Sequence, residues 1–165
     1  QAFETINSHV HKSVCESVLL NTYFSQYKDS ILSYDYVLKA SGRYLFFNLN
    51  ENLFTEENKN KIFFKEPMWH PWQDSWGYDL VDRRKEQGFD ILYQYSTVLY
   101  GFGSSQLGKF IDINQTTIDF LDLQNHHYDI ETLIYHYTRQ YSNDIIHTDW
   151  KVCGWWGSTG NFIYH

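Results

Sequence analysis

Extended runs rich in β-branched and aromatic residues alternate with helical patterns along this chain, and that alternation constrains the fold most. "YDYVLKA" (34–40) reads as a strand, and "RYLFF" (43–47) resumes as a second extended piece after Gly42. "IFFKEP" (62–67) is a third strand, stopped by Pro67, and "DILYQYSTVLYGF" (90–102) a fourth. Residues 5–28 predict an amphipathic helix, with Val10, Val14 and Val18 at four-residue spacing and Phe24 and Tyr27 nearby. A second helix is predicted over 104–124, where Leu107, Phe110, Ile111, Ile118 and Leu121 keep helical spacing and Ser104 or Ser105 serves as N-cap. A third is predicted over 129–140, capped by Asp129. The polar stretch 48–61 reads as a loop with a short helix. The end of the chain predicts one or two short strands around Gly154 and Gly157. Strands interleaved with helices predict an α/β domain, and 165 residues suffice for a single one with a continuous core.

Charge and composition narrow the function classes. The net charge of −7 argues against a general nucleic-acid binder, which shows a basic face, although a few local cations still allow a small anionic ligand. No run approaches the ~20 apolar residues of a membrane span. Cys15 and Cys153 are too few for a disulfide framework and neither sits in a CxxC, so a reduced cytoplasmic setting is the default expectation. Aromatics make up 19% of the chain, which fits either an aromatic core or rings that pack on sugars. The sole methionine is Met68, so Gln1 is expected to follow a processing site or an upstream segment. Residues 1–15 carry Glu4, His9 and His11 and do not resemble a signal peptide.

The residues with candidate chemistry each carry two readings. Lys39 and Arg43 flank the bend at Gly42, where both can aim at one anion, Arg43 with a planar fork suited to phosphate; alternatively, both reach solvent from a turn. Asp35 shares a strand face with Lys39, and either holds a ribose hydroxyl or a metal or forms a surface Asp–Lys pair. Glu131 opens a helix, where a carboxylate favours the dipole without any further role, or it faces a cleft as a general base. The histidines, His9 and His11, His126 and His127, and His147 with Asp149 and Cys153 nearby, match no zinc-site spacing, and no metal site is predicted. GxSxG and GxxxxGK[ST] are both absent. Trp69, Trp72 and Trp76 fall in the segment Pro67–Gly88, which reads as a long ordered loop of the kind that is often functional.

The order of "HVHKSVCESVLLNTYF", "YDYVLKASGRYLF", "YSTVLYGFGSSQLGKFID", "YDIETLIYHY" and "VCGWWGSTGNF" resembles a group of glycosyltransferases from bacterial polysaccharide and lipopolysaccharide clusters and from large viruses. Its most specific piece is Lys-x-Ser/Thr-Gly-Arg-Tyr, matched by Lys39, Ser41, Gly42, Arg43 and Tyr44; "STVLYGF" and the Ile130–Glu131 pair are weaker supports. The resemblance implies a GT-A-like fold, a nucleotide-sugar-binding α/β domain with a mostly parallel central sheet whose first strands precede residue 1. It implies a nucleotide-sugar donor, bound by Asp35 and the Lys39–Tyr44 motif, and a glycan acceptor walled by Trp69, Trp72 and Trp76. Where such enzymes carry a metal-holding Asp-x-Asp, this chain has "KASGRY", so Mn or Mg is left open and Lys39 and Arg43 are the implied diphosphate clamp. Glu131 is the implied base, with Asp149 the second choice. The rival expectation is a non-catalytic carbohydrate-binding or interaction domain.

Overall fold

The computed structural model describes residues 12–42, 44–69, 93–123, 129–155 and 162–164. Helix α1 (Lys12–Gln26) and the short α2 (Lys28–Leu32) lead into β1 (Tyr36–Ala40) and, after a turn, β2 (Tyr44–Phe47). Two 3-10 turns over 51–53 and 56–58 precede β3 (Ile62–Lys65), and the two-residue strands β4 (Met68–Trp69) and β5 (Tyr93–Gln94) pair with each other. β6 (Leu99–Gly103), α3 (Leu107–Leu123), α4 (Ile130–Thr138), β7 (Ile145–Thr148), β8 (Lys151–Trp155) and β9 (Phe162–Tyr164) complete the order.

The chain is α/β, but its central sheet is not mostly parallel, which corrects the sequence expectation. The four strands run in the order β1-β6-β3-β7, and only the β3–β7 pairing is parallel. Because β6 is antiparallel to both of its neighbours, β1, β3 and β7 nonetheless all point the same way. A sequence pattern reports which segments are extended; it does not report that β6 inserts between β1 and β3. A second sheet, β2-β8-β9, is wholly antiparallel.

The central sheet is covered on both faces, which explains why β6 is buried throughout rather than alternating. On the helical face, Phe24 of α1 and Phe110 of α3 pack on Phe64, Tyr100 and Phe102, with Ile130 and Ile134 of α4 closing the cluster. Phe102 stacks on Phe110 at 4.9 Å and Phe64 on Tyr95 at 4.1 Å. On the other face Phe63, Leu99, Trp150 and Val152 form a second core, joined by Tyr36, Phe46 and Phe54. Many of the chain's aromatics therefore build core.

Several boundaries move. The helix expected over 5–28 ends at Gln26 and restarts as α2, and its residues 5–11 lie outside the described residues. Neither Ser104 nor Ser105 caps α3. A 3-10 turn over 104–106 leads into the helix, and Ser105 Oγ donates to the Lys59 carbonyl instead. The strand expected over 90–102 is interrupted at 95–98, between β5 and β6. Asp129 does cap α4, its Oδ1 accepting from the Thr132 amide at 2.8 Å.

Candidate functional site at the carboxyl end of the sheet

The shared direction of β1, β3 and β7 brings their carboxyl ends to one side of the domain. The registers place Lys39 opposite Tyr100 and Phe64 opposite His147, on the helical face. One residue further along, Ala40 lies opposite Leu99 and Lys65 opposite Thr148, on the other face. Residues 95–98 arrive at the same end, just before β6. Ligands of open α/β sheets bind outside the carboxyl ends of the strands, so this is the end where chemistry is sought.

On the helical face a polar cluster forms around Lys39. Its side chain is 13% exposed, and Nζ contacts Glu16 Oε1 of α1 at 2.8 Å and Ser41 Oγ at 3.3 Å. It also donates to the Thr97 carbonyl and lies 5.6 Å above the Tyr100 ring. The anion already seated at Lys39 is thus the carboxylate of Glu16. Thr97 carries the cluster onward, its hydroxyl donating to Glu131 Oε1 at 2.7 Å. The Glu131 carbonyl in turn accepts from the Tyr95 amide. Burial pushes the Glu131 carboxyl up to about 6, helped by the negative charges of Asp129 and, more weakly, Glu16; the Thr97 hydrogen bond pulls the other way. A half-buried carboxyl that exchanges its proton near neutrality is suited to general-base work.

Beside this cluster, His147 Nε2 and the Tyr95 hydroxyl lie 3.0 Å apart, and His147 Nδ1 is 3.3 Å from Glu66 Oε2. Desolvation raises the Tyr95 phenol far above its ordinary range, so it stays protonated within hydrogen-bonding distance of the ring nitrogen.

The remaining expected residues fall as follows. Gly42 sits exposed at a turn whose Tyr44 amide donates to the Ser41 carbonyl, and a Cβ there would meet nothing within 4 Å. Arg43, Trp72 and Trp76 lie outside the described residues, as does the Trp69 side chain, whose backbone pairs with Tyr93. Asp35 is separated from the cluster: it precedes β1 at the opposite end, and its carboxylate pairs with Lys59 at 2.8 Å, not with Lys39. The anticipated shared face is lost because the chain bends at Asp35 before entering the strand. Asp149 is at the right end but exposed, accepting from Asn48 Nδ2 at 2.9 Å. Among the described residues no group of three His, Cys, Asp or Glu converges on a point. No helix among them is long and apolar enough to cross a membrane.

Sequence reading missed Glu16 and Thr97. Neither carried a signal, since only the fold brings α1 and the segment before β6 to Lys39.

A cleft of about 500 Å³ runs along the outer edge of β1, between that strand and the helices, lined by Tyr23, Tyr27, Tyr34, Tyr36 and Leu38 and reaching Lys39. Tyr23 and Tyr34 are more than half exposed. The Ser41 amide donates to Val98 and the Asp35 carbonyl accepts from Ser104, so by alternation the amides and carbonyls of Tyr36, Leu38 and Ala40 face this cleft.

No protein-family model matches the chain, and no curated protein or solved structure matches it.

Proposed function

We propose that this chain is a glycosyltransferase domain of GT-A-like type in which Glu131 is the general base for transfer from a nucleotide-sugar donor to a glycan acceptor. The observation that carries the reading is the Glu131 carboxyl, raised to about 6, hydrogen-bonded to Thr97 and placed at the carboxyl end of the sheet beside the Lys39 motif. In a direct displacement the acceptor hydroxyl attacks the anomeric carbon and gives its proton to Glu131. The bond from that carbon to the donor phosphate breaks, and its electron pair leaves with the nucleoside diphosphate. Such a step inverts the anomeric centre. Lys39 and Thr97 act as positioning residues, fixing the orientation of the base through the Thr97 hydroxyl and carbonyl. Gly42, with open space around it, lets a donor approach the backbone of the turn.

A second reading, a domain that binds glycans without turning them over, is favoured by the tyrosines along the β1 cleft, whose ring faces suit sugar stacking. A panel of UDP-, GDP-, CMP- and dTDP-sugars, each with and without Mn²⁺, separates the two by thermal shift and product analysis. Transfer by the wild type that disappears in a folded Glu131→Gln variant supports the enzyme. Glycan binding without any nucleotide effect supports the alternative, and full turnover by Glu131→Gln removes Glu131 from the base role.

A further inference from the structure

The smaller sheet presents an outer face that the fold leaves exposed. Strand alternation turns Phe46 and Val152 inward, where both belong to the core around Trp150. The registers then set Leu45 opposite Cys153 and Cys153 opposite Tyr164, with Phe47 opposite Lys151 and Trp155 opposite Phe162, all on the other side. Solvated faces of antiparallel sheets ordinarily carry polar residues. This one instead carries Leu45, Phe47, Trp155, Phe162 and Tyr164, each between 43% and 69% exposed. Cys153, at the centre of the strip, is buried between Leu45 and Tyr164. Apolar residues at both alternations are the pattern of strands covered on both faces.

Area, ring geometry and charge point to what covers it. At about 150–250 Å² per aromatic side chain, the open parts of the four rings and Leu45 amount to roughly 500 Å². That is near the upper end of what a monomer exposes in one patch. Two such faces brought together would remove about 1,000 Å² from water, the size at which a specific interface begins. Trp155 and Phe162 meet edge to face with their ring planes 78° apart, so they do not form the coplanar strip on which a flat sugar chain stacks. Lys151, at one end, is the only charged side chain among the described residues of the face. That is too little positive charge for a nucleic acid or an anionic membrane. The face holds no carboxylate among those residues, so two chains of net charge −7 can meet there without opposing acids.

We propose that the outer face of β2-β8-β9 is the docking surface for a second copy of this chain, the two sheets packing face to face across a two-fold axis. With the strands of the two copies antiparallel, the Lys151 side chains lie at opposite ends of the interface, each toward the Trp155–Phe162 end of the other copy. The dimer stands apart from sugar transfer and survives if Glu131 proves not to be a base.

Sedimentation velocity of the full chain from about 1 to 200 µM tests it, on wild type, Trp155→Glu, Tyr164→Lys and the control Leu19→Lys, an exposed apolar position on α1. A reversible monomer–dimer equilibrium in the micromolar range is expected, its Kd raised at least about tenfold by either face variant and unchanged by Leu19→Lys. Because apolar burial drives the contact and the net charges repel, raising NaCl from about 50 to 500 mM should leave the dimer intact or tighten it. Trp155 and Tyr164 are exposed in the single chain, so both variants should keep the wild-type circular dichroism spectrum, which separates lost docking from lost folding. If one of them fails to fold, the other decides. A wild type that stays monomeric throughout, a dimer that survives both face substitutions, or one that salt dissolves overturns the proposal. So does a monomer that cosediments with phosphatidylcholine vesicles or with insoluble cellulose through Trp155, which would give the face to a membrane or to a glycan.

Discussion

Replacing Glu131 by Gln should make the protein more stable at neutral pH and leave it unchanged in acid. The carboxyl sits at about 6 in the folded chain against an ordinary 4.5. At 1.36 kcal/mol per pH unit, that displacement is worth about 2 kcal/mol. The sign follows from which state binds the proton more tightly. A carboxyl raised on folding takes up a proton as the chain folds between about pH 4.5 and 6, so wild-type stability falls as pH rises through that window. The ionised form's penalty is absent below the unfolded value and complete above the folded one. Gln carries no such penalty, and its carbonyl oxygen can still accept from Thr97 Oγ1. The difference between variant and wild type should therefore be small and constant at pH 4, open between about pH 4.5 and 6, and level off near 2 kcal/mol, or about 4–8 °C in Tm for a domain of this size. Urea unfolding of both proteins from pH 4 to 8 measures it, and taking the difference cancels every other titrating group. A difference flat with pH would mean that Glu131 is not perturbed by folding. One that widens toward acid would mean that its carboxylate is stabilised, and the reasoning from burial would fail.

Other perturbations probe the rest of the structure. Lys39→Met leaves Glu16 half-buried without its partner and should cost about 1–3 kcal/mol, with Glu16→Gln in the same chain restoring part of the loss in a double-mutant cycle. Gly103→Ala would drive a Cβ into the Lys59 backbone and should destabilise by about 3 kcal/mol or more, read by thermal melting. Gly42→Ala meets open space at an unstrained turn, so it should leave Tm level or slightly raised while weakening any nucleotide-sugar binding. Lys65→Gln should raise Tm, because it removes a charge that burial disfavours.

Much of the fold was legible in the sequence where local pattern carries the information. The strand carrying Lys39, the strand "IFFK" and the Asp129 cap stand where spacing and capping chemistry place them. Strand order was not legible. The insertion of β6 between β1 and β3 depends on which apolar faces meet across gaps of tens of residues, and "LYGFG", buried on both faces, carries no alternation to reveal its neighbours. The same limit governs the site. Glu131 was visible as a helix-opening carboxylate, but its raised pKa is made by burial and by Asp129 and Glu16, and only the fold supplies that setting. Asp35 shows the converse error: two residues of spacing suggested a shared face, and the bend before β1 turned its carboxylate toward Lys59.

The placement of charge bears on where a donor's phosphates would have to sit. Lys39 looks from the sequence like a cation waiting for an anion, yet its ammonium is already matched by Glu16 and capped by the Thr97 carbonyl. With Glu131 ionised, the helical-face cluster of Lys39, Glu16 and Glu131 is net negative, which suits proton abstraction and disfavours a diphosphate in direct contact. Partly neutralising Glu131 by raising its pKa lessens that repulsion without removing it. On this arrangement Lys39 matters through the position of Thr97 more than through its own charge. Lys39→Arg, which keeps the charge and alters the geometry, should then impair turnover through kcat more than through KM for the donor.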